Sequence, residues 1–217
     1  MRKFIFLIVI VGAIWAWRTG NLPGGKAQGS FDKSGKPTLL IFTFTGCGVT
    51  CETVLAELKT RKAPFEEVAF DPANSSDENM KRLRRLGGKN AAPFIVAGDS
   101  KMTGDSTAQL AGVLGENFGK SYLTSEERRY FREHFADDGK PRIVMYAASW
   151  CGYCAKLRKE LQDGKIDFLE IDVEKSEERQ QLTQTMYISG YPSTWVGYRK
   201  VDGTSASDVK RVVRELK

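Results

Sequence analysis

One succession of predicted elements occurs twice along this chain. A strand, a helix headed by a cysteine, a second strand, a second helix, a proline-led strand, a short strand and a last helix fill residues 36–118, and again residues 140–217. Short apolar, β-rich runs predict the strands, and apolar residues at helical spacing predict the helices. Pro93 follows Cys47 by 46 residues, and Pro192 follows Cys151 by 41. The repetition predicts an α/β fold of two domains, each in the order βαβαββα.

Several element bounds follow from these patterns. In the first copy the opening strand is expected at 38–44, the second strand at 65–70 and the second helix from about 75 to 86. In the second copy the corresponding ranges are 143–146, 166–171 and about 176–186.

A separate helix is predicted between the two copies, in the linker 119–139. It should run from Leu123 to Phe135, because Thr124 with Glu127 three residues later forms a capping box. Its aromatic side is expected to pack on a domain. His134, the only histidine of the chain, lies in this helix far in sequence from any cysteine and is expected at the surface.

The N-terminus carries the pattern of an export signal. Arg2 and Lys3 precede an apolar stretch at 4–17. As a helix this stretch would span about 21 Å, less than the roughly 30 Å of a hydrocarbon core, which favours a cleaved signal peptide. The missing small-x-small site and the flanking Trp15 and Trp17 favour an uncleaved anchor instead. Residues 1–19 are therefore expected to be a hydrophobic signal-anchor helix or a signal peptide, and residues 20–35 a flexible tether.

Either alternative places the remainder of the chain in an exported compartment. The expected location is a bacterial inner membrane with a single span and both domains in the periplasm. The alternative is a soluble periplasmic protein after cleavage. The net charge of +6 does not indicate a nucleic-acid partner, because the basic residues are scattered and the one cluster, at 81–85, lacks an aromatic platform.

The four cysteines form two local pairs, Cys47/Cys51 and Cys151/Cys154. Local pairs staple a fold poorly, whereas they suit redox chemistry or metal binding. Zinc usually needs four ligands, and two pairs about 100 residues apart without a nearby histidine make a metal site the weaker interpretation. The first turn of a helix favours a thiolate, so Cys151, expected to be exposed, should attack a disulfide and Cys154 should resolve the product.

The second copy resembles the thioredoxin/glutaredoxin superfamily. The resemblance rests on the segment Trp150 to Cys154, on Gly190-Tyr191-Pro192 and on the βαβαββα order. It implies two tandem thioredoxin-like domains of glutaredoxin size. It also implies that Pro192 is a cis-proline facing the cysteines, and that Tyr191 pairs through its backbone with extended substrate. Trp150 and Tyr153 are then candidate substrate contacts. Glutathione is a candidate reductant, although the glycine pair that binds it in glutaredoxins is only half present.

The first pair departs from this pattern, because three residues separate Cys47 from Cys51. On a helix the two side chains would still share a face. Three alternatives stay open: an atypical redox pair, a degenerate domain kept for docking or substrate binding, and a metal-binding pair. Pro93 occupies the place that matches Pro192.

These patterns together predict a thiol–disulfide oxidoreductase, a reductase or an isomerase, acting on protein disulfides or low-molecular-weight thiols in the exported compartment. The alternative is a non-enzymatic assembly module that holds a client or a metal through its thiols.

Overall fold

The computed structural model describes residues 28–216 of the chain. The predicted signal anchor or signal peptide at 1–19, and the start of the predicted tether, lie outside these residues. Within 28–216 there is no helix of sufficient length and apolarity to cross a membrane.

The first half of the described chain contains four strands and three helices. In chain order they are β1 Leu39–Thr43, α1 Val49–Thr60, β2 Glu66–Ala69, α2 Glu78–Arg85, β3 Phe94–Ala97, β4 Ser100–Thr103 and α3 Thr107–Phe118. A short 3-10 turn, Lys120–Tyr122, leads to the linker helix α4, Ser125–Arg132. The capping box predicted at its start is present, since Thr124 and Glu127 exchange their hydrogen bonds.

The second half repeats this succession. Its elements are β5 Ile143–Ala147, α5 Gly152–Asp163, β6 Leu169–Asp172, the 3-10 turn Val173–Lys175, α6 Arg179–Thr185, β7 Ser193–Val196, β8 Arg199–Lys200 and α7 Ala206–Glu215. The predicted βαβαββα order is confirmed in both halves.

Each half forms one four-stranded sheet, in the orders β2-β1-β3-β4 and β6-β5-β7-β8. The first two strands of each half pair in parallel, and the remaining neighbours pair antiparallel. The match between the sheets extends to register, since Phe42 stands opposite Val68 and Tyr146 opposite Ile171. This mixed α/β architecture is consistent with two thioredoxin-like domains.

Helices cover both faces of each sheet. In the first half α1 and α3 pack on one face with residues such as Leu58 and Leu114, and α2 packs on the other with Met80 and Leu83. In the second half α5 and α7 cover one face, and α6 covers the other. The alternation of strand side chains between two apolar layers explains why both central strands, β1 and β5, are buried along their whole length.

The second strand of the second half is predicted from residue 166, but in the structure it begins at Leu169. Ile166 belongs instead to the turn that ends α5, since its N–H donates to the Leu161 carbonyl and Lys165 has a positive φ of 51°. The second helix of each half, α2 or α6, also begins about three residues later than predicted, at Glu78 and at Arg179. Apolar content alone does not separate a buried turn from the strand that follows it.

Part of the predicted tether contacts the first sheet. Ser30 is buried, and its N–H donates to the carbonyl oxygen of Gly98 at the end of β3. The return bond runs from the Gly98 N–H to the Ser30 carbonyl. The chain is attached to the first half from Gln28 onward, because the Gln28 N–H already donates to the Arg85 carbonyl oxygen.

Helix α3 contributes to two cores. Its larger side chains face the first sheet, while Ala108 and Ala111 pack in the layer that contains Trp195 of the second sheet. Gly112 and Gly115 lie against Tyr198 of the second half. Small residues at this spacing allow the helix to approach the second half closely, so the two halves share an apolar interface.

Two ion pairs reinforce the junctions between elements. Arg199, on β8, contacts the Glu116 carboxylate of α3 at 2.6 Å. Arg61, at the end of α1, contacts the Glu127 carboxylate of the linker helix at 2.6 Å, and both side chains are only 5% exposed. This ion pair fixes the linker helix to the first half. The expectation for its aromatic side is met by the second half, where the buried Phe131 packs against Trp195 and Tyr198.

Replacing Gly112 with alanine should lower the free energy of unfolding by about 1–3 kcal/mol. A Cβ built there would overlap the Tyr198 carbonyl oxygen, so a backbone must shift. Helix propensity alone would favour alanine by about 1 kcal/mol, so the sign of the change is diagnostic. Urea denaturation measures it. A more stable variant would contradict the close approach of α3 to the second half.

The expectation of a surface position for His134 is wrong. The side chain is 0% exposed, and its ring contacts Phe131 and Trp195. Its Nδ1 lies 2.8 Å from the Gly197 carbonyl oxygen and its Nε2 lies 2.9 Å from the Tyr146 hydroxyl. A carbonyl only accepts, so Nδ1–H donates to it and Nε2 accepts from Tyr146, which satisfies the neutral ring. Burial lowers the pKa of His134 to about 4. The residue follows the last turn of α4, and the chain there folds back onto the second sheet.

Acidification should therefore destabilise the protein between pH 6.5 and about pH 4. In this window the unfolded state binds a proton on His134 while the folded state does not, so stability is complete above the window and is lost as the pH falls. The loss from this residue between pH 7 and pH 5 is about 2 kcal/mol. Urea denaturation at several pH values measures it, with His134→Gln as the matched control. Equal slopes for both proteins would contradict the neutral buried ring.

Candidate redox site

Both cysteine pairs follow the carboxyl end of a central strand. Cys47 comes four residues after β1, and Cys151 four residues after β5. Each pair is joined as a disulfide, with Cα–Cα distances of 5.7 Å for Cys47–Cys51 and 5.2 Å for Cys151–Cys154. From the sequence alone, the first pair could form a disulfide or bind a metal ion. No group of three or more histidine, cysteine or acidic side chains suited to a metal ion occurs within residues 28–216.

Cys151 is the N-cap of α5. Its Sγ accepts a hydrogen bond from the N–H of Cys154 at 3.0 Å. This N–H is one of the unpaired donors at the start of a helix, where the helix dipole also favours negative charge. A thiolate formed at Cys151 on reduction would accept the same bond, so the geometry favours ionisation of this sulfur.

The expected exposure of Cys151 is not observed in the disulfide form. The residue is 7% exposed, and Cys154 is completely buried. The order of exposure nevertheless follows the expectation, with the first cysteine nearer to solvent. The difference from the expectation arises because Cys151 packs into the apolar layer between β5 and α5.

The proline loop lies at the same edge of the sheet. Ser193 pairs with Tyr146 near the end of β5, which places the preceding Pro192 beside the strand that leads to Cys151. The Tyr191–Pro192 peptide bond is cis. The Trp150 ring packs edge-on against Tyr191, with centroids 5.8 Å apart. The structure thus brings together Trp150, Tyr191 and Pro192 at the strand end, whereas Tyr153 projects from the first turn of α5 and is exposed.

Charged residues that the sequence patterns did not single out line this edge. Asp172, the last residue of β6, stands opposite Ala147 of β5, and Glu174 follows two residues later. Burial and the nearby Glu174 carboxylate raise the pKa of Tyr191. Arg179 contacts Glu174 at 2.6 Å. The position of these acids near the cysteines could have been predicted from the parallel pairing of β5 and β6, because parallel strands end at the same edge of a sheet.

The first pair has a different relation to its helix. Gly48, with a φ of 63° that favours glycine, is the N-cap of α1, and Cys47 precedes it. The Cys51 N–H donates to the carbonyl oxygen of Gly48 and not to a sulfur. The additional residue between the cysteines therefore displaces Cys47 from the helix terminus. The Ala92–Pro93 bond is also cis, so Pro93 takes the place expected for it.

Comparison with known proteins connects the second half to one family. The glutaredoxin family model matches residues 143–201. A glutaredoxin of Pseudomonas aeruginosa is 34% identical over 64 residues, which are 29% of this chain and 76% of that protein. A thioredoxin domain-containing protein of Acanthamoeba polyphaga mimivirus is 26% identical over 115 residues, which are 46% of this chain and 33% of that protein.

Among solved structures, a buckwheat glutaredoxin–glutathione complex matches part of this chain. It has 16% identity and a TM-score of 0.32, covering 42% of this chain and 80% of the buckwheat chain. A glutaredoxin from Methanosarcina mazei has 17% identity and a TM-score of 0.29, covering 37% of this chain and 97% of the other. The identity and coverage shared with the Pseudomonas aeruginosa protein establish the assignment: this chain belongs to the glutaredoxin family.

Proposed function

We propose that the protein is a thiol–disulfide oxidoreductase whose working pair is Cys151 and Cys154, acting on protein disulfides. One observation carries the proposal: Cys151 caps a helix within the matched segment, and its sulfur accepts the Cys154 N–H at 3.0 Å. Family membership supports thiol oxidoreductase activity in general. The helix-terminal position supports the choice of this pair over the first.

The reaction proceeds through two exchanges. The Cys151 thiolate attacks one sulfur of the substrate disulfide, forms a mixed disulfide and displaces the other substrate sulfur as a thiolate, which takes up a proton. The Cys154 thiol then loses its proton and attacks the Cys151 sulfur. The second substrate sulfur leaves as a thiolate and is protonated. The substrate disulfide is thereby reduced to two thiols, and Cys151–Cys154 is oxidised to a disulfide. Trp150, Tyr153, Tyr191 and Pro192 form the substrate-contacting surface.

The first half is proposed to be a second glutaredoxin-like domain in tandem. Its sheet has the same strand order as the second, and a cis proline follows its cysteine pair at the corresponding place. Because Cys47 lies outside the helix terminus, this domain is proposed to contribute docking or a slower redox couple, with Pro93 at its substrate edge.

Export and membrane attachment are part of the proposal and rest on the sequence of residues 1–19 alone. In this account both domains face the periplasm of a bacterium, on the outer side of the inner membrane. Fractionation with intact-mass analysis tests it. Full-length chain in the membrane fraction is expected; a mature N-terminus near Gln28 in the soluble periplasm would replace the anchor with a cleaved signal, and full-length chain in the cytosol would contradict export.

Reduction of insulin disulfides by the full-length protein, driven by dithiothreitol, tests the proposed activity. Many turnovers per protein molecule are expected, and turnover should persist in the Cys47→Ser/Cys51→Ser variant. Stoichiometric capture of insulin without turnover would favour a thiol-based holding module. Glutathione, which family membership suggests as a reductant, is compared with dithiothreitol in the same assay.

A further inference from the structure

Large aromatic side chains flank the proposed nucleophile in solvent. Trp150 is 72% exposed and Tyr153 is 68% exposed, and they stand immediately before and two residues after Cys151. Aromatic rings of this size are usually well covered, and they supply much of the free energy of protein interfaces. The Trp150 ring is also oriented by its edge contact with Tyr191. The surface around Cys151 is therefore suited to apolar groups that adjoin a disulfide.

Three cations near this edge are held in ion pairs with carboxylates of the protein. Arg179 contacts Glu174 at 2.6 Å, and Lys175 contacts Asp172 at 3.3 Å. On α5, Lys156 lies 3.9 Å from Glu160. An incoming carboxylate would therefore meet as many acids as bases.

The N-terminus of α7, at the same edge, is likewise hydrogen-bonded to the protein's own carboxylates. β8 runs antiparallel to β7, and the Val201 N–H donates to Thr194, so the loop before α7 returns to the edge where β5 ends. There the Ala206 N–H donates to the Glu160 carboxylate at 2.9 Å. The Ser205 N–H donates to the Asp208 carboxylate at 3.2 Å. Two N–H groups at this helix terminus are thus bound by carboxylates, whose negative charges oppose an anionic ligand.

We infer that this site takes disulfides of polypeptides with aromatic or apolar residues beside the cysteine, and discriminates against glutathione. The inference rests on the proposed function and specifies its substrate class. Each half of oxidised glutathione carries two carboxylates and one ammonium at neutral pH, so its net charge is negative, and it has no large apolar side chain. An unfolded polypeptide supplies the apolar contact and needs no cation. The peptide disulfide is reduced to two thiols while the Cys151/Cys154 dithiol is oxidised to a disulfide.

Three disulfide probes test this in the full chain, with Cys47→Ser/Cys51→Ser as background so that only the second pair reacts. They are oxidised glutathione, a neutral peptide with an internal disulfide and flanking tryptophan and phenylalanine, and the same peptide with serine at those two positions. The rate of oxidation of the reduced protein is followed by acid quench and mass analysis. The aromatic peptide should react about tenfold faster than either other probe.

Trp150→Ala should reduce the advantage of the aromatic peptide over the serine peptide to about twofold or less. Alkylation of Cys151 by iodoacetamide at pH 7 reports whether its thiolate is retained in the variant. Phe31→Ala removes an exposed ring from the first half and should leave all three rates unchanged. Oxidised glutathione reacting as fast as the aromatic peptide, or an equal loss of all three rates in Trp150→Ala with alkylation retained, would overturn the inference while the proposed function stands. Failure of every probe to oxidise the dithiol would overturn the proposed function itself, and the inference with it.

Discussion

In the Cys47→Ser/Cys51→Ser background, replacing Cys151 with serine should abolish disulfide reduction, with a fall in turnover of at least about 1,000-fold. Serine cannot supply a thiolate, and the remaining thiol of the pair, Cys154, is completely buried. The substitution is nearly isosteric at a residue that is 7% exposed, so the fold should be retained. The insulin assay measures the loss, and urea denaturation verifies folding.

Two matched variants sharpen this prediction. Cys154→Ser leaves the attacking sulfur but removes the resolving one, so it should accumulate mixed disulfides with substrate that appear as higher-mass species on non-reducing gels. Cys47→Ser should retain most of the wild-type turnover. If Cys47→Ser lost turnover while Cys151→Ser kept it, the working pair would belong to the first half.

Cys151 should also react with an alkylating agent about threefold faster than Cys47 at pH 7, because its larger thiolate fraction outweighs the lower nucleophilicity of a more acidic thiol. A thiol with a pKa near 8.5 is only a few per cent ionised there, whereas a helix terminus that lowers the pKa to about 7 ionises half of the molecules. Cys151 has this terminus, since the Cys154 N–H donates to its sulfur, and Cys47 precedes the N-cap Gly48.

Variants with a single thiol allow the comparison. One retains only Cys151 and the other only Cys47, with serine at the remaining three cysteine positions in each. The rate of iodoacetamide alkylation is measured from pH 4 to pH 10, and the midpoint of each profile gives the pKa. A Cys151 midpoint at or above that of Cys47 would contradict the role assigned to the helix terminus.

The order of elements could be predicted from sequence because apolar periodicity reports which segments contact a core. The boundaries could not, as Ile166 illustrates: it is apolar and follows a helix, yet it closes the turn after α5. The burial of His134 was also missed. Its neutral ring is satisfied by Gly197 and Tyr146, partners that only the folded second sheet brings near.

The candidate site was predictable to the extent that motifs mark it. Cys151, Cys154 and Pro192 follow from spacing and resemblance. The two pairs differ in the residue that caps the helix: Cys151 itself caps α5, whereas Gly48, with its positive φ, caps α1 in place of Cys47. The sequence alone did not show this difference. The acids at the end of β6 were missed because their relevance comes from strand pairing, which places Asp172 opposite Ala147.

The central claim is that Cys151 and Cys154, and not the first pair, exchange electrons with a protein disulfide. The most direct measurement uses fully reduced, full-length wild-type protein mixed with less than one equivalent of an unfolded protein disulfide. The reaction is quenched with acid and an alkylating agent at successive times, and the disulfides are mapped by mass spectrometry. The account predicts that Cys151–Cys154 forms first, while Cys47 and Cys51 are still alkylated as thiols. Formation of Cys47–Cys51 before Cys151–Cys154 would contradict it.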